Sequence, residues 1–399
     1  MMNLAPELDA LHRRVAAVMR QRVAPRAAEI DSTGDYPEDL YELFRTEGLL
    51  ALSLPENLGG SGLGVRGLTV ATEEAAKHSA AAGVMLLLSR LPVAPLLAGG
   101  TDEQLQRWAV PLGRGERRGA FAMSEPQAGS DVLGLTACAE PDGNGWRLTG
   151  TKSWISGAAE ADWFVVVARV AGSGERRADA VRAFVVDADA AGLSLTQTHR
   201  RPGCRGVSLG DISLDGVAVS DDRRLPGITG VGHLLGGLAT MRPVVSARGL
   251  GLAAAALMLA VERIEDRQVG GRPVAVQQGV QWQVAETAVQ LESARLLTYR
   301  AAELIDAGSS GPRTAGQLAA AKLASSEIAV KAAALASQLH GAEACLAGHP
   351  AERLVRDARQ LTIVEGTSEI QRNIIARAVL DRTLWWQTAD LPVESESRA

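Results

Sequence analysis

The residues best suited to chemistry lie late in the chain, in VRDARQLTIVEGTSEIQR at 355–372. Glu365 follows Leu361, Ile363 and Val364 and precedes Gly366, Thr367 and Ser368. The continuation EIQRNIIARAVL has helical spacing, with Ile370, Ile374 and Ile375 on one face and Arg372 and Arg377 elsewhere. Thr367 or Ser368 suits the N-cap of that helix. A carboxylate among apolar neighbours has its pKa raised and becomes a stronger base toward a weakly acidic carbon. The same residues also fit an acid that merely complements a helix dipole, and taken alone that is the commoner role for them.

Other motifs carry less. Gly62, Gly64 and Gly67 match the spacing of a dinucleotide-binding fingerprint, but Pro55, Glu56 and Asn57 replace the strand that should precede it. No acid lies at the ribose-binding distance either. Gly206, Ser208 and Gly210 have nucleophile-elbow spacing, yet a strand pattern follows where a helix is required. Arg90, inside VMLLLSRLPVAPLL, reads either as a helix-end cation snorkelling to water or as an anion receptor in a pocket. Cys138, Cys204 and Cys345 are far apart, with neither metal-ligand nor redox spacing, so no metal is expected and a reducing cytoplasm fits.

The elements that must position Glu365 follow from composition and patterning. The chain has 399 residues, 46% hydrophobic and 22% charged, with a formal net charge of −5. That balance predicts a soluble globular protein of two or three domains and argues against a nucleic-acid partner. The N-terminal stretch is an amphipathic charged helix rather than a targeting signal. The strongly apolar run at 249–261 is shorter than the ~20 residues of a membrane span, so no membrane is expected.

Residues 1–120 read as helices: one over 8–30, one over Pro37–Leu50 with Asp35 as cap, and Ala80–Leu88, with Thr101 capping DEQLQRWAVPL. From 121 to 225 the period shifts to two. GAFAMSE, TACAEPDG, GWRLTGTKSWIS, DWFVVVARV, RAFVVDAD and SLGDISLDGVAV read as strands, with DGNG at 142–145 as a hairpin turn. From 226 to 399 helices return, at 240–267, 274–308, 313–346 and 366–384, before a polar tail beyond Asp390. The predicted class is α+β: an N-terminal all-α domain, a middle β-barrel or sandwich, and a C-terminal four-helix bundle.

Taken together, AMSEPQAGSD (122–131), GTKSWISG (150–157), RPGCRGVSLGDISLDGVAV (201–219), TMRPVVSARGLGLA (240–253) and RDARQLTIVEGTSEIQR (356–372) resemble the acyl-CoA dehydrogenase family, with support from LPENLGGSG (54–62). The resemblance runs in order over nearly the whole chain. It implies a fold of helical, β and helical-bundle domains, FAD as cofactor, and α,β-dehydrogenation of an acyl thioester. Glu365 matches the base that removes the α-proton while the β-hydride passes to flavin N5, and Gly366 matches a substrate contact. Phe121, Met123, Ser124 and Ser130 match the segment along one edge of the flavin, with main-chain groups and the Ser124 hydroxyl toward the pyrimidine and Ser130 toward substrate. Trp154, Ile155 and Ser156 match the segment beside the ring. Arg267 matches a pyrophosphate arginine, for which a planar fork is suited. Gln277 and Gln278 match adenine contacts. Gln338, Leu339, Gly341 and Ala342 match a phosphate-side element, and Thr367, Ser368 and Glu369 complete the set. Sites shared between subunits imply a homo-oligomer, dimer or tetramer, and electron-transfer flavoprotein or a similar acceptor is the implied electron partner. Arg242 matches a substrate-side arginine, and Arg90 lies near where the acyl pocket closes, which makes a carboxylated acyl group conceivable.

The departures bear on substrate. Some members carry the base just before the arginine matched by Arg242, but that position is Met241, which leaves Glu365. A tyrosine often found before the base is Val364, the second glycine of the phosphate element is Ala342, and Val269-Gly270 replaces Gln-Phe. An aspartate found in some members is Ala239, so an acyl group on a carrier protein stands beside acyl-CoA as substrate, in fatty-acid or secondary metabolism. The alternative activity is a flavin-dependent oxidase or monooxygenase on the same scaffold.

Overall fold

A computed structural model describes residues 5–381. The polar tail expected beyond Asp390 lies outside them. Eight helices precede the strands: α1 (Pro6–Val18), α2 (Ala27–Thr33), α3 (Glu38–Thr46), α4 (Gly64–His78), α5 (Ala80–Leu88), α6 (Val93–Gly99), α7 (Asp102–Gln104) and α8 (Val110–Gly113). The single helix expected over 8–30 is broken. Pro25 has no N–H and crowds the preceding turn, and the chain answers with a π turn at Met19–Val23 and a 3-10 turn at Ala24–Arg26. Asp35 does not cap α3; Pro37 occupies that position and no side chain bonds there. Thr101 does cap α7, in a reciprocal capping box with Gln104.

The strands are β1 (Gly119–Ala122), β2 (Cys138–Asp142), β3 (Gly145–Ser156), β4 (Trp163–Val170), β5 (Val181–Asp187), β6 (Leu193–Thr198) and β7 (Leu209–Ser220). They form one mixed sheet in the order β1-β4-β2-β3-β7-β6, with β5 along the other edge of β4. Strand β4 is buried almost throughout because it has neighbours on both sides. β1 and β2 pair in succession along the same edge of β4, Phe121 opposite Val165 and Cys138 opposite Arg169. Residues 123–137 therefore loop out between them.

The helices after the sheet are α9 (Val231–Ala239), α10 (Arg242–Asp266), α11 (Gln278–Asp306), α12 (Pro312–His340), α13 (Pro350–Arg359) and α14 (Ser368–Leu380). A short hairpin, β8 (Gln268–Val269) with β9 (Arg272–Pro273), turns the chain from α10 into α11. Helix α10 is the central rod, packed against α12, α11 and α4. Its small residues permit close approach: a Cβ at Gly249 would lie 2.6 Å from Ser325 O and one at Gly251 2.3 Å from Glu73 O. The apolar run in α10 is consumed by this packing, with nearly every residue from Pro243 to Ala256 buried.

The fingerprint-like glycines serve this packing too. The Asp306 carboxylate, at the end of α11, accepts from Val65 N at 2.7 Å and Arg66 N at 3.0 Å, so the N-terminus of α4 already holds an anion. Gly64 lies at φ +62°, and a side chain there would meet that carboxylate at 2.3 Å. Gly251→Val should lower the melting temperature through overpacking worth about 1–3 kcal/mol. Thermal unfolding measured by circular dichroism checks this, with little change in melting temperature as the contrary result.

Candidate active site

Glu365 sits in the turn between Gln360–Thr362 and α14, with its backbone left-handed at φ +55°. Gly366 follows at φ +86°, where a Cβ would lie 2.7 Å from Gln371 Nε2. Thr367 Oγ1 accepts from Ile370 N at 3.3 Å and so caps α14. The apolar surroundings do not come from the local sequence. Leu361 is fully buried, but Ile363 is 53% exposed and Val364 half-buried. Three cationic side chains from the packed helices face the carboxylate instead: Arg242 and Arg248 from α10 and Lys322 from α12. Burial raises the Glu365 carboxyl above its ordinary range, and Arg248, Lys322 and Arg242 oppose that rise. Among the described residues, neither the carboxylate nor the Glu365 N–H makes a hydrogen bond.

The turn is pinned from two sides. Lys322 Nζ donates to Leu361 O and Gly366 O, both at 2.8 Å, and Gln371 Nε2 donates to Gly366 O at 2.9 Å and Glu365 O at 3.2 Å. Both side chains are fully buried. Neither they nor Arg248 were among the expected site residues. The available signal was a charged residue inside an otherwise small and apolar helical run, LAAAKLASS for Lys322 and VVSARGLGLA for Arg248. Met241 is buried in the core, and Arg242 opens α10 half-buried, its guanidinium pKa lowered by burial.

The sheet supplies a second group. Glu125 and Lys152 form a buried ion pair at 2.7 Å. Glu125 also accepts from Thr136 N, Thr136 Oγ1, Ala137 N and Gln127 Nε2, and Lys152 donates to Met123 O at 3.0 Å. Burial alone would raise the Glu125 carboxyl, but Lys152 and the two N–H groups hold it at about 2. This pair fixes the 123–137 loop. Met123 O and Ser124 O each accept one bond within the fold, from Lys152 and from Ser153 N at 2.9 Å. The Ser124 hydroxyl remains free. Phe121 is half-buried against the core and Ser130 exposed.

A bulge between Lys152 and Ile155 turns Trp154 outward at φ +62° and leaves it 55% exposed. Its N–H donates to Asp211 Oδ1 at 2.9 Å, and its indole stacks on His199 with centroids 4.5 Å apart. Ile155 points the opposite way, into the sheet's core, so only its main chain can reach the face beside Trp154. Ser156 is half-buried there.

The remaining expected residues lie elsewhere. Arg267, Gln277, Gln278, Gln338, Gly341 and Ala342 are exposed, and none of their side chains is bonded among the described residues. Leu339 packs against the core, which leaves it only main-chain contacts. Arg263 pairs with Glu343 at 2.9 Å, which brings the ends of α10 and α12 together and groups this set at one end of the bundle. Arg242 and Arg267 are the two ends of α10, separated by about 37 Å at the helical rise. The structure thus gathers Glu365, Gly366 and Arg242 in one place and the phosphate-side set in another.

Three family models match consecutive segments: "Acyl-CoA dehydrogenase, N-terminal domain" over 5–116, the middle domain over 120–217 and the C-terminal domain over 229–380. The chain belongs to the acyl-CoA dehydrogenase family. It is 36% identical to the short-chain specific acyl-CoA dehydrogenase of Bos taurus, over 94% of this chain and 91% of that protein. Its structure is similar to that of butyryl-CoA dehydrogenase from Megasphaera elsdenii, with TM-score 0.90, 27% identity and coverage of 95% and 100%. It also resembles a glutaryl-coenzyme A dehydrogenase solved with glutaryl-CoA, with TM-score 0.88, 31% identity and coverage of 96% and 97%.

This acyl-CoA dehydrogenase is therefore an FAD-dependent oxidoreductase acting on the CH–CH donor of an acyl thioester. The residues present fit FAD. The outward indole of Trp154 offers a ring-sized apolar surface, and Ser153 Oγ and Ser368 Oγ are buried without partners. Glu125→Gln in the dehydrogenase removes the anion from a buried pair, at a cost of about 3–5 kcal/mol. Because the folded Glu125 pKa is depressed, its stabilisation is present above the ordinary carboxylate range and is lost as pH falls toward 2. Denaturant titrations at several pH values should give wild type this acid loss and the variant a smaller one.

Proposed function

We propose that Glu365 removes the α-proton of an acyl-CoA thioester in this dehydrogenase. The observation that carries this reading is a half-buried carboxylate whose pKa is raised by desolvation, bearing no hydrogen bond among the described residues, at the mouth of a capped helix. Desolvation strengthens the base, and the thioester α-carbon needs that strength. The free N–H of Glu365 is a donor for the thioester carbonyl as negative charge develops on it. Gly366 keeps the turn open to substrate, and Arg242 adds positive charge on the same side. Trp154, Ser156 and the Ser124 hydroxyl would hold the ring end of FAD, which when bound would supply a hydride acceptor for the β-hydrogen.

The set Arg267, Gln277, Gln278, Gln338, Gly341 and Ala342 is too far along α10 to serve the FAD of its own Glu365, which supports assembly with at least one further copy. Trp154 at the surface supports electron exit to an electron-transfer flavoprotein. The three cysteines, all free, suit a reducing cytoplasm.

A short acyl group is the first substrate reading. One observation favours a second, in which the acyl group carries a carboxylate. Arg90 is only 7% exposed, donates to Ser53 O and Thr240 Oγ1, has an unpartnered Nε, and makes no ion pair. Burial lowers its pKa to about 10, and the charge of Asp306 opposes that.

Three outcomes are expected. Adding butyryl-CoA without oxygen should bleach the flavin absorbance of the wild type. Glu365→Gln should bind FAD and thioester but lose reduction by about 10²–10⁴-fold, and unchanged reduction would remove Glu365 from the mechanism. Since its pKa is raised and the base must be ionised, the wild-type rate should fall as pH drops through a value above the ordinary carboxylate range. For the second reading, Arg90→Met should impair glutaryl-CoA more than butyryl-CoA; equal loss leaves Arg90 a structural cation.

A further inference from the structure

Lys322 is the only residue whose side chain bonds main-chain groups on both sides of Glu365 among the described residues. Its Nζ reaches Leu361 O before the base and Gly366 O after it, at 2.8 Å each. It arises from the middle of α12, the helix packed against both α10 and α14, so its position is fixed by two neighbours. Gln371, one turn into α14, holds the same turn from the other side through Glu365 O and Gly366 O. The turn needs such restraint. It places two consecutive residues at positive φ, and only Gly366 adopts that conformation without steric cost.

We propose that Lys322 is a positioning residue for the base: it bridges the two carbonyls that bracket Glu365, fixes the carboxylate's direction of approach, and sets the field in which it works. This rests on Glu365 being the base. The ammonium cannot take the α-proton, because two of its three donors point at carbonyls and it has no acceptor. Its two effects are separable. The hydrogen bonds hold the turn. The charge, together with those of Arg242 and Arg248 from α10, opposes the desolvation that raises the carboxyl, while Glu369 on α14 also acts on the lysine. Burial lowers the Lys322 pKa to about 8, against the opposing pull of Glu365, so the bridge itself loosens in alkaline solution.

Two variants separate position from charge. Lys322→Met removes the bonds and the charge from a site that accepts an unbranched apolar chain. Gln371→Met removes only bonds. With FAD content and circular dichroism matching wild type, both should reduce kcat by about 10²-fold, as expected for displacement of a reacting group by ~1 Å, with little change in KM. Both should speed amide hydrogen exchange over 361–367 in the absence of substrate, a readout independent of turnover. Only Lys322→Met should move the acid limb of the pH profile upward. Wild-type kcat and exchange in Lys322→Met would overturn the proposal, as would identical pH limbs in the two variants. If Lys322→Met does not fold, wild-type kcat in Gln371→Met overturns the positioning claim. An active Glu365→Gln would instead overturn the assignment of the base, which keeps the two failures distinct.

Discussion

The site depends on how one half-buried carboxylate is balanced between desolvation and the cations that face it. Burial drives Glu365 toward its neutral form, and an isolated buried charge would simply take up a proton. The protein answers with cations held nearby but not in contact. Arg242, Arg248 and Lys322 all face the carboxylate, yet none forms a hydrogen bond with it. A direct ion pair would stabilise the anion further and also occupy lone pairs that, on the proposed reading, receive the proton. Distance thus balances ionisation against basicity. The helices that carry the cations are also the ones that pack most closely, so the electrostatics of the base are inherited from the bundle.

The β-sheet follows the opposite strategy. Glu125 and Lys152 are in full contact, and every oxygen of Glu125 is engaged. That carboxylate is held far down in pKa and has no basicity to offer. Glu125 and Glu365 have opposite environments, one carboxylate saturated with donors and organising a loop, the other without a hydrogen bond among the described residues. The chemical identity of the residue says little; the number of donors it meets says most.

Much of this architecture was legible in the amino-acid pattern. The strand from Gly145 to Ser156, the helix from Ala80 to Leu88 and the cap at Thr367 follow from alternation, apolar spacing and capping chemistry. Strand β6 was not anticipated, because LSLTQT lies on the sheet's edge with almost no buried side chain and so carries no alternating signal. Helix α9, rich in glycine, and the charged helix α13 are held by tertiary contacts rather than by local propensity. For the site, Glu365 stood out by its neighbours, though the neighbours were misleading, since Ile363 faces outward. Lys322 and Arg248 did not stand out. A lysine on an alanine-rich helix ordinarily faces solvent, and only the packing of α12 against α10 and α14 places this one inside.

The left-handed backbone at Glu365 has a consequence for how this protein can change over generations. A β-carbon in that conformation costs on the order of 1 kcal/mol relative to glycine. The chain is therefore strained at the residue proposed as the base. Glycine or asparagine there would relax the turn, so on the proposed reading mutation toward stability alone runs downhill to inactivity.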